Sequence, residues 1–518
     1  VVLIAILVIS ISVMFDTKPT LTFLSFWKGL RKEKVNEKDE YEDIKDEEYE
    51  EDGGEENEED EEEKAEKGAE EEKPEKSKIG KIKEVLGIKG SEMEDLSANY
   101  MKNVEYTPPP LSLLSRDKGK PGVGDIKANS NIIKRTLQNF GITVEMDEIS
   151  IGPSVTRYAL KPAEGVKISR IVGLQNDLAL ALAAHPLRIE APIPGKSLEI
   201  PNSTKTTVGL GTLLSSDDFG KSPKPLLLSL GRGISGKSHF ANLAKMPHLL
   251  IAGATGAGKS VTIHTIVTSL LFRNPPENMR FIMIDPKRVE LTIYNKIPHM
   301  LTPVIIEPKK AILTLKWLCK EMDKRYDILL KAGVRDIESY HKKAAKKQEV
   351  NAESEEFTQM PYLVIVIDEM ASLMNTYPRE MESSIVRLAQ MSRAVGIHLI
   401  LSTQRPSVEV ITGLIKANVP SRIALQVASQ IDSRTILDMS GAEKLLGKGD
   451  MLFLAGDTAK PKRIQGPFIS EKEVKRVVDY LAEEYKDSDI ENINTPSEDE
   501  LNGNGGSENG GGQASIDL

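Results

Sequence analysis

The sequence predicts an α/β fold, a buried parallel sheet with helices packed on it, preceded by a smaller α+β domain. Three observations carry that expectation. The runs HLLIAG, RFIMID, YLVIVIDE and HLILSTQ are short and apolar throughout, the pattern of strands covered on both faces. Amphipathic helical segments separate these runs between residues 226 and 485, which layers helix against sheet. Upstream, a helix, two strands and a further helical stretch follow in the order of a small α+β unit.

At the N-terminus, VVLIAILVISISVMF is an apolar run of about 15 residues, short of the roughly 20 that cross a bilayer. The chain begins with Val1 rather than Met, so residues 1–15 are read as part of a truncated transmembrane helix. Lys18, Lys28, Arg31, Lys32 and Lys34 follow at once, which by the positive-inside tendency places the rest of the chain in the cytoplasm. A buried helix of a soluble protein is the plainer alternative. Residues 16–105 are expected to form an acidic disordered linker, because residues 31–75 carry about −17 of net charge and too few apolar side chains to bury a core.

The net charge of the 518 residues is −10, yet setting aside the linker and the acidic tail leaves about +13 on residues 76–485. The folded body is therefore basic. A polyanionic partner requires such a surface, and an ordinary solvated surface also produces one.

The small α+β domain is expected over residues 106–225. ANSNIIKRTLQNFGI reads as a helix ending at Gly141, TVEMDEISIGPSVTRYALKP as two strands around the Gly152-Pro153 turn, and VKISRIVGLQNDLALALAAH as mainly helical. His185, before Pro186, has no companion and reads as structural. The single cysteine, Cys319, excludes an internal disulfide and reads as core packing. Residues 486–518, rich in Gly, Asn and acidic side chains, read as a disordered tail.

Within the larger domain, residues 226–485, the phosphate-binding pattern G-x-x-x-x-G-K-[ST] occurs twice, at Gly231–Ser238 and Gly253–Ser260. Context separates them. The second follows the strand HLLIA and opens a helix with Ile263, Ile266, Val267, Leu270 and Leu271 on one face. The first has only eight residues between Ser238 and Pro247, too few for a helix whose N-terminus could hold phosphate. The second is therefore assigned as the nucleotide loop, formed by Gly253, Ala254, Thr255, Gly256, Ala257, Gly258, Lys259, Ser260 and Val261. Lys259 is expected on the β and γ oxygens of ATP, and Ser260 on Mg²⁺.

YLVIVIDEM supplies the complementary half: a buried strand delivers Asp368 to the Mg²⁺ shell and Glu369 to the attacking water. A third strand, GIHLILSTQRP, ends in Thr403 and Gln404, where a polar side chain can sense the γ-phosphate. Taken alone, Gln404 is as readily a surface residue.

HLLIAGATGAGKS, MIDPKRVEL, VIVIDEM, GIHLILSTQRPSVEVITGLIKANVPSRIALQV and IDSRTILDMSGAEKLLGKGDML together resemble the motor of the FtsK/SpoIIIE translocases, and GPSVTRYAL and LRIEAPIPGKS resemble the domain before it. The resemblance covers about residues 106–480. It implies a RecA-like P-loop NTPase motor in a homo-hexamer around double-stranded DNA, anchored in the bacterial inner membrane with the motor in the cytoplasm, and a role in chromosome partition at division or sporulation. It further implies that Arg393 is an arginine finger reaching a neighbouring subunit's site, and that Arg405 and Lys416 line the pore and touch DNA phosphates. Gln430 stands where some members carry lysine, so that basic contact is absent. The family's DNA-reading winged helix is not found in residues 486–518. A conjugation-type coupling ATPase and a membrane-tethered DNA-binding scaffold that hydrolyses nothing are the competing expectations.

Overall fold

The computed structural model describes residues 106–190, 196–349 and 360–486. The expected transmembrane segment, the acidic linker and residues 487–518 of the tail lie outside that set. Among the described residues no helix is long and apolar enough to cross a membrane.

The small domain is a four-stranded antiparallel sheet in the order β1-β2-β4-β3, with β1 Val144–Ile151, β2 Val155–Pro162, β3 Arg188–Glu190 and β4 Lys196–Pro201. A helix, Ile126–Asn139, begins where the Asp125 carboxylate accepts the Ala128 N–H at 3.0 Å, and such a cap satisfies one of the donors a helix start leaves free. Ile133 and Leu137, four residues apart and hence on one face, are fully buried with Tyr158, Leu160 and Leu198.

The larger domain is a nine-stranded sheet in the order β6-β5-β13-β12-β11-β7-β10-β9-β8. Its strands are β5 Leu227–Gly233, β6 Ser238–Asn242, β7 Leu249–Ala252, β8 Met279–Ile284, β9 Tyr362–Ile367, β10 Ile397–Thr403, β11 Ser421–Leu425, β12 Asp450–Leu454 and β13 Lys462–Gln465. All four apolar runs are strands, and with β11 they form a parallel block. The parallel pairing expected for the four apolar runs is present, and the sheet is larger than those runs, because β12, β13, β5 and β6 extend the block antiparallel from β11. Short hairpin connections join β12 to β13 and β5 to β6, whereas parallel neighbours need a crossover.

Leu114, Leu210, Leu214 and Phe219 pack in the larger core. That core therefore takes in side chains on the N-terminal side of residue 225, where the small domain was expected to end. Cys319 is buried in the Pro308–Lys331 helix of the same core, as expected.

Candidate functional site

The carboxyl ends of β7, β10 and β9 lie side by side, with β10 in the middle. The chain places β8, β9 and β10 on one side of β7 and β11 on the other. In open α/β sheets ligands bind at such a reversal of strand order, outside the carboxyl ends of the strands.

Gly253–Gly258 joins β7 to the Lys259–Leu271 helix. Gly258 has φ +110°, and a Cβ there would sit 2.7 Å from the Gly449 nitrogen, so only glycine fits both the left-handed backbone and the close approach. The Gly449 N–H donates to the Ala257 carbonyl at 2.9 Å, and the Ala254 N–H to the Gln426 carbonyl at 2.8 Å. The loop is thus braced from β12 and β11. The first N–H groups of the following helix have no intrahelical acceptor, which together with the helix dipole makes an anion site. Thr255 and Ser260 flank this opening, and Val261 begins the run into the core. The other match, Gly231–Ser238, is the turn of the β5–β6 hairpin.

Lys259 is buried, and its ammonium donates to Asp368 Oδ1 at 2.6 Å and to Ser402 Oγ at 3.1 Å. Asp368 is fully buried, and its second oxygen, Oδ2, has no hydrogen-bond partner. Burial pushes the Asp368 carboxyl above its ordinary range, Lys259 draws it down, and Asp285 and Glu290 add to the rise. The net displacement is upward, because one ammonium does not offset burial and two neighbouring acids.

Glu369 is held on both oxygens. Oε1 accepts Thr403 Oγ1 at 2.7 Å, Oε2 accepts Lys287 Nζ at 3.0 Å, and the Gln404 N–H reaches both, at 3.3 and 3.2 Å. Burial alone raises this carboxyl, but the hydrogen bonds from Thr403 and Lys287, the Lys287 charge and the Gln404 N–H hold it below the ordinary glutamate range. Gln404 Oε1 accepts Thr255 Oγ1 and Lys287 Nζ, both at 3.3 Å, so the residue bridges the glycine loop to the end of β8. Lys259, Asp368, Glu369 and Gln404 are therefore brought together at one end of the sheet.

Sequence reasoning missed the turn after β8. There the Asp285 carboxylate accepts five successive backbone N–H groups, from Lys287 to Leu291, at 2.9–3.1 Å. The turn projects Lys287 onto Glu369, and Glu290 onto Ser260, whose Oγ donates to Glu290 Oε1 at 2.7 Å. The available signal was RFIMIDP, a second apolar strand ending in aspartate beside the one that carries Asp368.

The remaining predicted residues lie elsewhere. Arg393 is exposed just before β10, at the edge of the sheet opposite Gln404, and a strand of that length separates the two by roughly 20 Å. Arg405 is exposed immediately beyond the site. Lys416 does not project freely: its ammonium pairs with Asp438 at 2.7 Å, and Arg422 pairs with the same carboxylate at 2.6 Å.

A profile of the FtsK/SpoIIIE family matches residues 210–408, and one of the FtsK alpha domain matches residues 108–202. Among similar proteins, the "DNA translocase FtsK" of Caldanaerobacter subterraneus subsp. tengcongensis is 52% identical over 386 residues, covering 74% of this chain and 53% of the relative. The "DNA translocase FtsK" of Clostridium tetani is 50% identical over 418 residues, covering 78% and 55%. The "DNA translocase SpoIIIE" of Bacillus subtilis is 50% identical over 392 residues, covering 74% and 50%. The chain spans about half the length of these curated relatives.

Proposed function

The chain belongs to the FtsK/SpoIIIE family, and from that premise we propose that residues 226–485 form an ATP-hydrolysing motor that moves double-stranded DNA. The observation that carries this reading is the convergence of Lys259, Asp368, Glu369 and Gln404 at the carboxyl ends of three adjacent strands.

The Gly253–Val261 segment offers backbone N–H groups to the phosphates of ATP, and Lys259 moves from Asp368 to the β and γ oxygens as a point charge. The unpartnered, buried Asp368 Oδ2 and the Ser260 hydroxyl fit a Mg²⁺ ion. The chemistry such an ion supplies is neutralisation of charge on the β- and γ-phosphate oxygens. Glu369 orients the attacking water and accepts its proton, while Gln404, bonded to both Glu369 and Thr255, registers the γ-phosphate.

Arg393, too far from its own subunit's site, serves a neighbour in a homo-hexameric ring and stabilises charge on the transferred phosphoryl group. Arg405 and Lys416 hold the DNA backbone in the central channel. The basic body expected from composition suits that polyanion. In this reading an N-terminal membrane anchor places the motor on the cytoplasmic side of a bacterial inner membrane, where it partitions chromosomes at a septum.

The deciding experiment measures ATP turnover by the chain with and without duplex DNA. Turnover that duplex stimulates and Lys259→Ala abolishes supports the motor. DNA binding with no hydrolysis under any condition would leave only a scaffold.

A further inference from the structure

MIDPKRVEL is the one segment of the site to which the mechanism above gives no task. Its turn is rigid, because the Asp285 carboxylate gathers the N–H groups of Lys287, Arg288, Val289, Glu290 and Leu291. The mobile part is the Lys287 side chain, four methylenes long and 42% exposed, against 3% for the Glu369 side chain with which it pairs. Its ammonium touches both groups expected to handle water and γ-phosphate: Glu369 Oε2 at 3.0 Å and Gln404 Oε1 at 3.3 Å.

The hydrogen bonds around Glu369 set a condition on its use. Oε1 is held by the buried Thr403 hydroxyl and by main chain, and Oε2 is held by main chain and Lys287. Thr403 and the Gln404 N–H are fixed at the end of β10, so among these donors Lys287 is the one that can withdraw into solvent. A water that is to give its proton to Oε2 needs the place the ammonium takes.

We propose that Lys287 is a positioning residue that restrains hydrolysis: its ion pair with Glu369 and its hydrogen bond to Gln404 hold the two groups together, and release of that clamp admits the attacking water. This rests on the ATPase reading. DNA stimulates turnover, on this account, by favouring the released arrangement, since an effector shifts an equilibrium only through different affinity for its two states.

The test compares Lys287→Ala and Lys287→Arg with the wild-type chain, measuring kcat and KM for ATP without and with duplex DNA. In Lys287→Ala, kcat without DNA should rise by roughly 3- to 10-fold at nearly constant KM, the range one net intramolecular hydrogen bond carries when a partner is as exposed as Lys287, and the stimulation by DNA should shrink in proportion. Lys287→Arg, which keeps a cation on a long side chain, should restore low DNA-free turnover. A merely structural role would lower both rates together and would not be rescued by arginine. If Lys287→Ala lowers or leaves unchanged the DNA-free rate while wild type hydrolyses ATP, the clamp is overturned and the motor stands. If wild type hydrolyses no ATP, the motor reading falls and the clamp with it.

Discussion

Arg463 of β13 and Glu199 of β4 form a 2.6 Å ion pair between the larger and the small domain, with side chains only 3% and 0% exposed. Arg188 joins Glu199 at 3.2 Å from the small-domain side, and Asp450 joins Arg463 at 2.7 Å from β12. The four charges form an alternating chain. Burial raises the Glu199 carboxyl, but the two arginines overcome that and hold it below the ordinary range; Arg463 is in turn raised, by Asp450 and Glu199. Asp450 also accepts the Leu446 N–H at 2.8 Å and directly follows Gly449, which braces Ala257 of the glycine loop. The junction between the domains and the proposed ATP site are thus linked through a few residues.

Glu199→Ala leaves two buried guanidinium groups facing each other without their anion. Breaking a buried pair by removing one partner costs about 3–5 kcal/mol, and the loss should appear in denaturant unfolding of the chain. ATP affinity should fall as well, because the Asp450 end of the cluster positions the loop against Gly258. Unchanged unfolding would mean that water replaces the carboxylate.

Lys259→Ala should reduce ATP turnover at least about 100-fold, since it removes charge stabilisation in the transition state. Lys237→Ala should leave turnover unaltered, because Lys237 lies in the exposed turn of the β5–β6 hairpin despite its matching motif. Steady-state hydrolysis of the two variants separates the motifs, and the reverse result would move the site to the hairpin.

Arg393→Ala and Lys259→Ala subunits, each inactive alone, should recover part of the activity when mixed. The distance of roughly 20 Å along β10 keeps Arg393 from its own subunit's γ-phosphate, so only a pair of subunits can join an intact finger to an intact loop. Hydrolysis is measured across mixing ratios after mixed rings are verified by light scattering of differently tagged chains. Zero activity at every ratio would remove Arg393 from a shared site.

Glu473 caps the Glu471–Glu484 helix through the Ser470 N–H at 2.8 Å and ties it to the Ser115 N–H at 2.6 Å. Burial raises its carboxyl, and the hydrogen bonds from Ser470 and Ser115 more than offset that, so it is depressed in the folded chain. A depressed acid contributes stability above its unfolded pKa and loses it as pH falls through the folded value. Glu473→Gln should therefore lower stability at neutral pH by about 1–2 kcal/mol and narrow its difference from wild type below about pH 4. Denaturant midpoints at the two pH values check the sign; a constant difference would show that Glu473 does not titrate in this range.

The four apolar strands and the chosen glycine loop were legible because each is local: a run of apolar residues, or a motif followed by room for a helix. The Lys259–Leu271 helix was expected to bury one face and instead buries eleven of its thirteen residues. Its Thr265 and Ser269 hydroxyls donate to carbonyls of the preceding turn, at 2.8 and 2.6 Å, and so enter the core already satisfied. Strands β12 and β13 were missed because most of their pairing is non-local: β12 meets β11 only after the intervening Gln430–Leu437 helix, and β13 meets β5 from far upstream in the sequence. Lys287 was missed for another reason: its partner Glu369 is 82 residues away and meets it only because β8 and β9 are neighbours.

Arg405 and Lys416, assigned together as DNA contacts from the resemblance, stand in different environments. Arg405 is exposed, so Arg405→Ala should weaken duplex binding about equally for all sequences and reduce the salt slope by about one. Lys416 is held by Asp438, which also binds Arg422 and whose carboxyl is depressed: burial raises it, and the Lys416 and Arg422 hydrogen bonds and charges lower it by more. A phosphate must compete with that carboxylate, so Lys416→Ala should change DNA affinity less than Arg405→Ala does. Asp438→Asn removes the competitor and should tighten binding, steepening the salt dependence by up to about one counterion as Lys416 becomes available. Titrations of a labelled duplex at several salt concentrations distinguish these variants. If Asp438→Asn leaves both affinity and slope unchanged while Arg405→Ala lowers them, Lys416 belongs to an internal ion-pair cluster that holds the Gly413–Asn418 helix against β11, and the DNA path passes Arg405 alone.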